Sequence, residues 1–149
     1  MACLGTAGVA YTIHRAPLDK PIPKLAAHLR EHGRSRETYL IPPSWKWFRL
    51  ETGMPIFVDF KSHPYKDIEV IEWHRRLTAA KAFYAATTPT SARQALERIT
   101  EEWNITHVVT PDDWTVLTEL PHYVPQAQGQ GWRLYRIDAS PPATLESTE

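Results

Sequence analysis

The sequence predicts an α/β fold, a small three-layer Rossmann-like sheet with three parallel strands and an antiparallel edge strand. Short apolar runs that end abruptly in proline-marked polar segments predict the strands, and helical patterns between them predict crossover connections. The run 54–60 is almost entirely apolar, which is typical of a parallel strand buried on both faces. A chain of 149 residues is long enough for one well-packed core. We therefore expect a single α/β domain over 24–138, between an N-terminal tail or linker over 1–23 and a disordered tail over 139–149.

Local signals place each element in turn. Leu25 and Leu29 lie one helical turn apart and predict a first helix, which Gly33 is placed to end. Pro42 stops the first strand, because proline cannot donate a hydrogen bond to a strand ladder. Ser44 is the predicted N-cap of the second helix. The predicted helices cover 24–32, 45–52, 67–84 and 91–104, and the predicted strands cover 38–41, 54–60, 107–110 and 132–137.

The direction of the second strand has two interpretations. The helical segment between the first two strands is long enough for a crossover, which favours a parallel pair. A hairpin through 51–53 is the competing interpretation. The last strand follows a loose loop over 126–131 and is expected at an antiparallel edge.

Composition excludes several classes of protein. Lys plus Arg and Asp plus Glu are equal at 17 each, so no overall field attracts a polyanion, and we expect no nucleic-acid partner. The single cysteine, Cys3, excludes an internal disulfide. The sequence has no glycine-rich nucleotide motif, so no cofactor is predicted. His28 and His32 lie one helical turn apart, but without an evident third ligand we interpret them as a surface pair and predict no metal site.

Charged and indole side chains concentrate where the predicted strands end. The carboxyl-terminal rim of an open α/β sheet is where ligands usually bind, and there arginines can clamp an anion while an indole stacks on a sugar ring. The candidate binding residues are Arg49, Asp59, Lys61, Glu72, Trp73, Arg75 and Arg76. Two simpler interpretations stay open: a solvated helix face with a Glu72–Arg76 pair, or a buried ion-pair lattice that binds nothing.

An enzymatic alternative uses a different subset of these residues. Glu51, Asp59 and Lys61 imitate the two carboxylates and the lysine of magnesium-dependent nucleases. A D-x-K triplet is common by chance. The zero net charge of the chain also argues against binding of a nucleic acid, which is a polyanion. We therefore predict no catalytic residue and keep this small metal-dependent enzyme as the alternative.

A set of short motifs resembles a C-terminal domain of unknown function found on polytopic bacterial membrane proteins that look like GT-C glycosyltransferases. The motifs are YLIPP at 39–43, FRL at 48–50, VDFK at 58–61, Pro64, EWHRRL at 72–77, THVVTP at 106–111 and WRLYR at 132–136. The likeness covers about residues 25–138.

The resemblance implies a non-catalytic accessory domain at the extracytoplasmic face of the cytoplasmic membrane. Its partner would be the membrane-embedded remainder of a glycosyltransferase-like protein, and its ligand a glycan or a lipid phosphate. Residues 1–13 would then be the remnant of a membrane helix. The other interpretation is a freestanding, soluble relative.

Overall fold

The computed structural model describes residues 21–62, 64–119 and 123–138. The helices are α1 (Pro21–His32), α2 (Phe48–Thr52), α3 (Asp67–Tyr84) and α4 (Pro89–Glu102), with a short 3-10 helix at Val116–Glu119. The strands are β1 (Tyr39–Leu40), β2 (His107–Thr110), β3 (Tyr123–Gly129) and β4 (Trp132–Ile137). Most of the predicted 1–23 tail and the whole 139–149 tail lie outside the described residues, as does the predicted membrane-helix remnant.

The four strands form one mixed sheet in the order β1-β2-β4-β3. β1 is parallel to β2, while β4 is antiparallel to both of its neighbours. Side chains alternate between the two faces, as the strand period of two requires. Val108 packs on the face covered by α3 and α4, and Val109 packs on the face covered by α1 and α2. Each face of the sheet therefore has its own apolar cluster.

The helix ends show which local signals act. Gly53 ends α2 in the left-handed conformation, with φ of 71°, and its N–H donates to the Arg49 carbonyl, so its predicted capping role is confirmed. α4 begins before the predicted Ser91. Thr88 is its N-cap and forms a capping box with Ser91, while Pro89 occupies the first turn, where a missing N–H costs nothing.

The predicted Rossmann-like sheet with three parallel strands is wrong. The segment 54–60 makes a single parallel bridge, from Ile56 to Tyr39, instead of a full strand. Pro55 has no N–H, and β1 ends before Pro42, so there is little ladder to extend. Phe57 and Val58 are nevertheless buried, in the cluster beneath α3 and α4. The apolar character of this run thus reflects core packing and not a central strand.

The edge strand is also different from the predicted one. β4 lies inside the sheet, between β2 and β3, and the predicted loose loop contains most of β3. β3 is polar, carries Pro125, and has an irregular register between Pro125 and Ala127, features typical of an exposed edge. Its last residue, Gly129, lies against Trp132, and a Cβ placed there would be 2.5 Å from the indole Nε1.

Within residues 21–62, 64–119 and 123–138, no helix has both the length and the apolar content needed to cross a bilayer.

Candidate functional site

An open cleft with a volume of about 490 Å³ lies between the 56–64 segment and the first half of α3. The single Tyr39–Ile56 bridge fixes the start of the segment, and its chain then turns away from the sheet. The lining residues come from α2, this segment and α3. They are Arg49, Ile56, Phe57, Val58, Asp59, Ser62, Pro64, Ile68, Glu69, Glu72, Trp73 and Arg76.

Asp59 organises the floor of the cleft. Its side chain is buried, and Oδ1 accepts hydrogen bonds from the backbone N–H groups of Lys61 (3.0 Å) and Ser62 (2.6 Å). Oδ2 accepts the Ser62 hydroxyl at 3.2 Å. The indole of Trp73 donates to the Asp59 backbone carbonyl at 3.0 Å, which ties this loop to α3. The carboxylate therefore caps its own loop, a common use of aspartate in turns.

Glu72 holds the arginines of α3 in place. Oε1 accepts from Arg76 Nε and from the Trp103 indole, both at 2.7 Å, and Oε2 accepts from Arg75 Nη1 at 3.2 Å. The Arg76 bond, followed by the Trp103 bond, lowers the pKa of Glu72. Arg75 also pairs with Glu102. Glu72 is thus an ionised centre whose charge is shared among fixed donors.

Arg49 differs from the other charged side chains of the cleft. Glu69 lies 3.5 Å from Lys66, and Glu72 pairs with Arg76, whereas no carboxylate or hydrogen-bond acceptor in the described part of the chain engages the Arg49 guanidinium. Its side chain is exposed on α2 at the edge of the cleft. An arginine in that position has all its donors available for a ligand.

Exposed apolar side chains form a rim on the segments that build the cleft, and one of them, Ile68, also lines it. All the exposed large hydrophobic side chains of the described residues fall within the 25 or so positions from 47 to 71, on α2, the cleft segment and the start of α3. They are Trp47, Leu50, Phe60, Tyr65, Ile68, Val70 and Ile71. Two lysines lie over rings of this rim: Lys61 Nζ is 4.2 Å from the Trp47 ring centroid, and Lys81 Nζ is 5.2 Å from that of Phe60.

The structure brings most of the predicted binding residues together. Arg49, Asp59, Glu72, Trp73 and Arg76 line the cleft, whereas Lys61 and Arg75 are not among its lining residues. Sequence reasoning missed the apolar side of the site, above all Ile68 and the buried Phe57 and Val58. The apolar run 54–60 contains Phe57 and Val58 but predicts a strand there, and Ile68 lies outside that run, at the start of α3.

The alternative metal-dependent site has a different geometry. Glu51 is exposed on α2 and is not a lining residue of the cleft, and Lys61 lies over Trp47. Both oxygens of Asp59 accept hydrogen bonds from Lys61 and Ser62. In the part of the chain that the structure describes, no group of three His, Cys, Asp or Glu side chains could hold a metal ion.

Comparison with known proteins gives one family match. Residues 20–80 match a domain of unknown function, DUF6798. No curated protein and no solved structure matches the chain. The match names neither a glycosyltransferase nor a membrane protein. It spans α1 to most of α3, so every residue that lines the cleft lies inside it.

Proposed function

We propose that this chain is a non-catalytic accessory domain whose cleft binds an amphipathic ligand with a sugar or anionic head. The observation that carries the proposal is the position of the apolar rim. Every exposed large hydrophobic side chain of the described residues lies in the segments that surround a cleft with an unengaged arginine. Apolar exposure concentrated in one place, beside polar groups, is characteristic of an interaction site.

The charges of the cleft favour a head group with one anionic centre or with hydroxyl groups. The lining holds two arginines and three acidic residues, so it does not attract a polyanion. Asp59 is engaged by its loop, Glu69 by Lys66 and Glu72 by Arg76. Arg49 is left to contact a phosphate, a carboxylate or sugar hydroxyls, and a guanidinium recognises these by paired N–H donors.

The rim suits the apolar part of such a ligand or the bilayer in which it sits. Lys61 over Trp47 and Lys81 over Phe60 combine a cation with an aromatic ring, a pairing that is favoured at membrane interfaces. Trp47 and Tyr65 are 47% and 96% exposed, and amphipathic side chains of these two types are enriched at membrane–water interfaces.

The resemblance of the motifs supports a more specific form of the proposal. In this form, the domain lies at the extracytoplasmic face of the cytoplasmic membrane as part of a glycosyltransferase-like membrane protein. The rim faces the membrane-embedded remainder of that protein, and the ligand is a glycan or a lipid phosphate. Catalysis belongs to that remainder.

The test is flotation with three kinds of vesicle: phosphatidylcholine alone, phosphatidylcholine with phosphatidylglycerol, and phosphatidylcholine with a polyprenyl phosphate. We expect the tightest binding to the third kind. Leu50→Ser with Ile68→Ser should weaken binding to it about tenfold, since about 1.4 kcal/mol of apolar burial is lost. Arg49→Ala should remove the preference for polyprenyl phosphate.

The matched control is Arg93→Ala, which removes an exposed arginine of α4 that is paired with Glu97 and does not line the cleft. This variant should bind like the unmodified protein. Absence of binding to every vesicle, or equal loss in the Arg93 and Arg49 variants, would overturn the proposal.

A further inference from the structure

A second cavity, of about 360 Å³, lies on the face of the sheet covered by α1. It is separate from the cleft and has no lining residue in common with it. Seven of the side chains that line it are ionisable, and they come from α1, the turn after it and strands β1, β2 and β4. These residues are His28, His32, Arg34, Glu37, Tyr39, His107 and Arg136.

The floor of this cavity is a fixed polar group. Tyr39 is buried, and its ring stacks on His107 with centroids 5.0 Å apart. The Tyr39 hydroxyl donates to Glu37 Oε2 at 2.6 Å, and the Arg34 backbone N–H donates to the same oxygen at 2.9 Å. Burial raises the pKa of Glu37, but these two bonds together with the charges of His107 and Arg34 outweigh it, so the pKa lies below its ordinary value. The Glu37 charge is therefore held on the cavity wall by two donors.

His107 presents an unengaged ring nitrogen. The residue is only 8% exposed, and its Nδ1 lies 2.9 Å from the Thr106 hydroxyl oxygen. Among the described residues Nε2 has no hydrogen-bond partner, although the ring lines the cavity. A ring nitrogen that has no protein partner and lies on the wall of an open cavity is available to a ligand in that cavity.

The wall opposite carries two more histidines. The rings of His28 and His32 on α1 stack, with their centroids 4.5 Å apart. The His28 ring also lies next to that of Trp132, with centroids 5.9 Å apart. Burial, then the nearby His32, lowers the pKa of His28, and burial lowers the pKa of His107. At neutral pH these two rings are uncharged, and they gain charge only as the pH falls.

The charges around the cavity set the sign of any ligand. Arg34 has no ion-pair partner in the described part of the chain, and Arg136 lies 3.1 Å from Asp138. Glu37 and Glu31, the latter 3.9 Å from His32, are the other carboxylates near the rings. At neutral pH, positive and negative groups nearly balance. Protonation of His28 and His107 as the pH falls adds positive charge to the cavity.

We propose that this cavity is a binding site for a small oxyanion, of the sulfate, phosphate or carboxylate class, which it takes up together with protons on its histidines. Arg34 and Arg136 attract the anion, and the protonated rings of His28 and His107 complete its donors. Because binding of the anion and of the protons is coupled, each tightens the other by the same factor. The site is independent of the proposed function of the cleft.

Sulfate is the probe, because it stays a dianion across the pH range of the experiment. The histidine Cε1–H NMR signals of the whole chain are titrated with pH in chloride and in sulfate. We expect the titration midpoints of His28 and His107 to rise by about one pH unit in saturating sulfate, the equivalent of a tenfold coupling. Because the couplings of the two histidines multiply, sulfate should bind more tightly at pH 5.5 than at pH 8, by up to about a hundredfold.

His74 on α3 provides the internal control, since it is exposed and lies outside this cavity. Its signal should titrate identically in chloride and in sulfate. Arg34→Ala should reduce the sulfate response of His28 and His107, whereas Arg49→Ala, in the cleft, should leave it unchanged. These two variants alter exposed side chains, so the test does not depend on substitutions in the core.

Equal responses of His74, His28 and His107, or midpoints that sulfate does not move, would overturn the proposal. A response that survives Arg34→Ala and disappears with Arg49→Ala would also overturn it, because it would place the anion in the cleft.

Discussion

At the scale of single residues, Asp59 and Glu72 show how two carboxylates of one cleft acquire different roles. Asp59 accepts from its own loop, while Glu72 accepts from two arginines and an indole. The sequence placed both acids near one rim, and the Glu72–Arg76 pair was among its interpretations. The role of Asp59 was not predictable from the D-x-K pattern, because the same triplet serves a metal site or a loop cap. The role of Asp59 is decided by the turn of the chain after Phe60, which brings the N–H groups of Lys61 and Ser62 to its carboxylate.

Replacing Asp59 separates its hydrogen bonds from its charge. Asp59→Ala should lower the free energy of unfolding by about 1–3 kcal/mol, because two partly buried hydrogen bonds from the backbone N–H groups of Lys61 and Ser62 lose their acceptor. Asp59→Asn keeps an acceptor oxygen and should retain most of that stability. Urea denaturation of the three proteins measures the difference. Equal destabilisation by alanine and asparagine would show that the charge, and not the loop cap, is what the fold requires.

At the scale of elements, the helices were more predictable than the strands. α1, α3 and α4 follow from apolar spacing over several turns, and Gly53 marks the end of α2. The strands are short, and local sequence says little about which of them pair. β3 carries polar residues and Pro125 because its edge faces solvent, so it has no apolar signature. The run 54–60 has such a signature because its side chains fill the core.

The β3–β4 hairpin depends on a close approach at Gly129. A methyl group at this position would lie 2.5 Å from Trp132 Nε1, too close for a real contact, and Trp132 is buried in the cluster beneath α1. Gly129→Ala should therefore destabilise the protein by about 1–3 kcal/mol. Gly53→Ala is not a suitable comparison, since its positive φ adds strain of its own. Gln130→Ala, in the exposed turn, is the matched control and should change the denaturation midpoint little.

At the scale of the whole molecule, the protein carries two sites that share no lining residue and differ in chemistry. The cleft with its apolar rim lies on the α2–α3 side of the chain, and the histidine-lined cavity lies beneath α1. The zero net charge of the chain gives no indication of either site, because each site depends on how nearby charged groups are paired. The candidate binding residues could be predicted from the sequence in large part. The apolar rim and the cavity could not, since both depend on contacts between distant segments.

The ionisable groups predict how stability changes with pH. The pKa values of His28, His107, Glu37 and Glu72 are all lowered by folding, so the unfolded chain binds more protons than the folded one. Stability is therefore highest above the ordinary histidine pKa of 6.5 and falls as the pH drops below it. A second loss, from the two glutamates, follows below their ordinary value of 4.5.

Melting temperatures in chloride buffer at pH 7.5 and pH 5.5 test the histidine part of this dependence. The melting temperature should be lower at pH 5.5, and His28→Gln should reduce the difference because it removes one of the two groups. A melting temperature that is the same or higher at pH 5.5 would contradict the assigned directions.

The most direct measurement for the role of the cleft is hydrogen–deuterium exchange with and without vesicles that contain a polyprenyl phosphate. If the cleft and its rim bind this ligand, amide exchange should slow in peptides that cover residues 47–71 and stay unchanged in α4 and β4. Arg49→Ala should reduce the protection. Protection confined to α4 or β4, or none in 47–71 when the protein is vesicle-bound, would contradict the account.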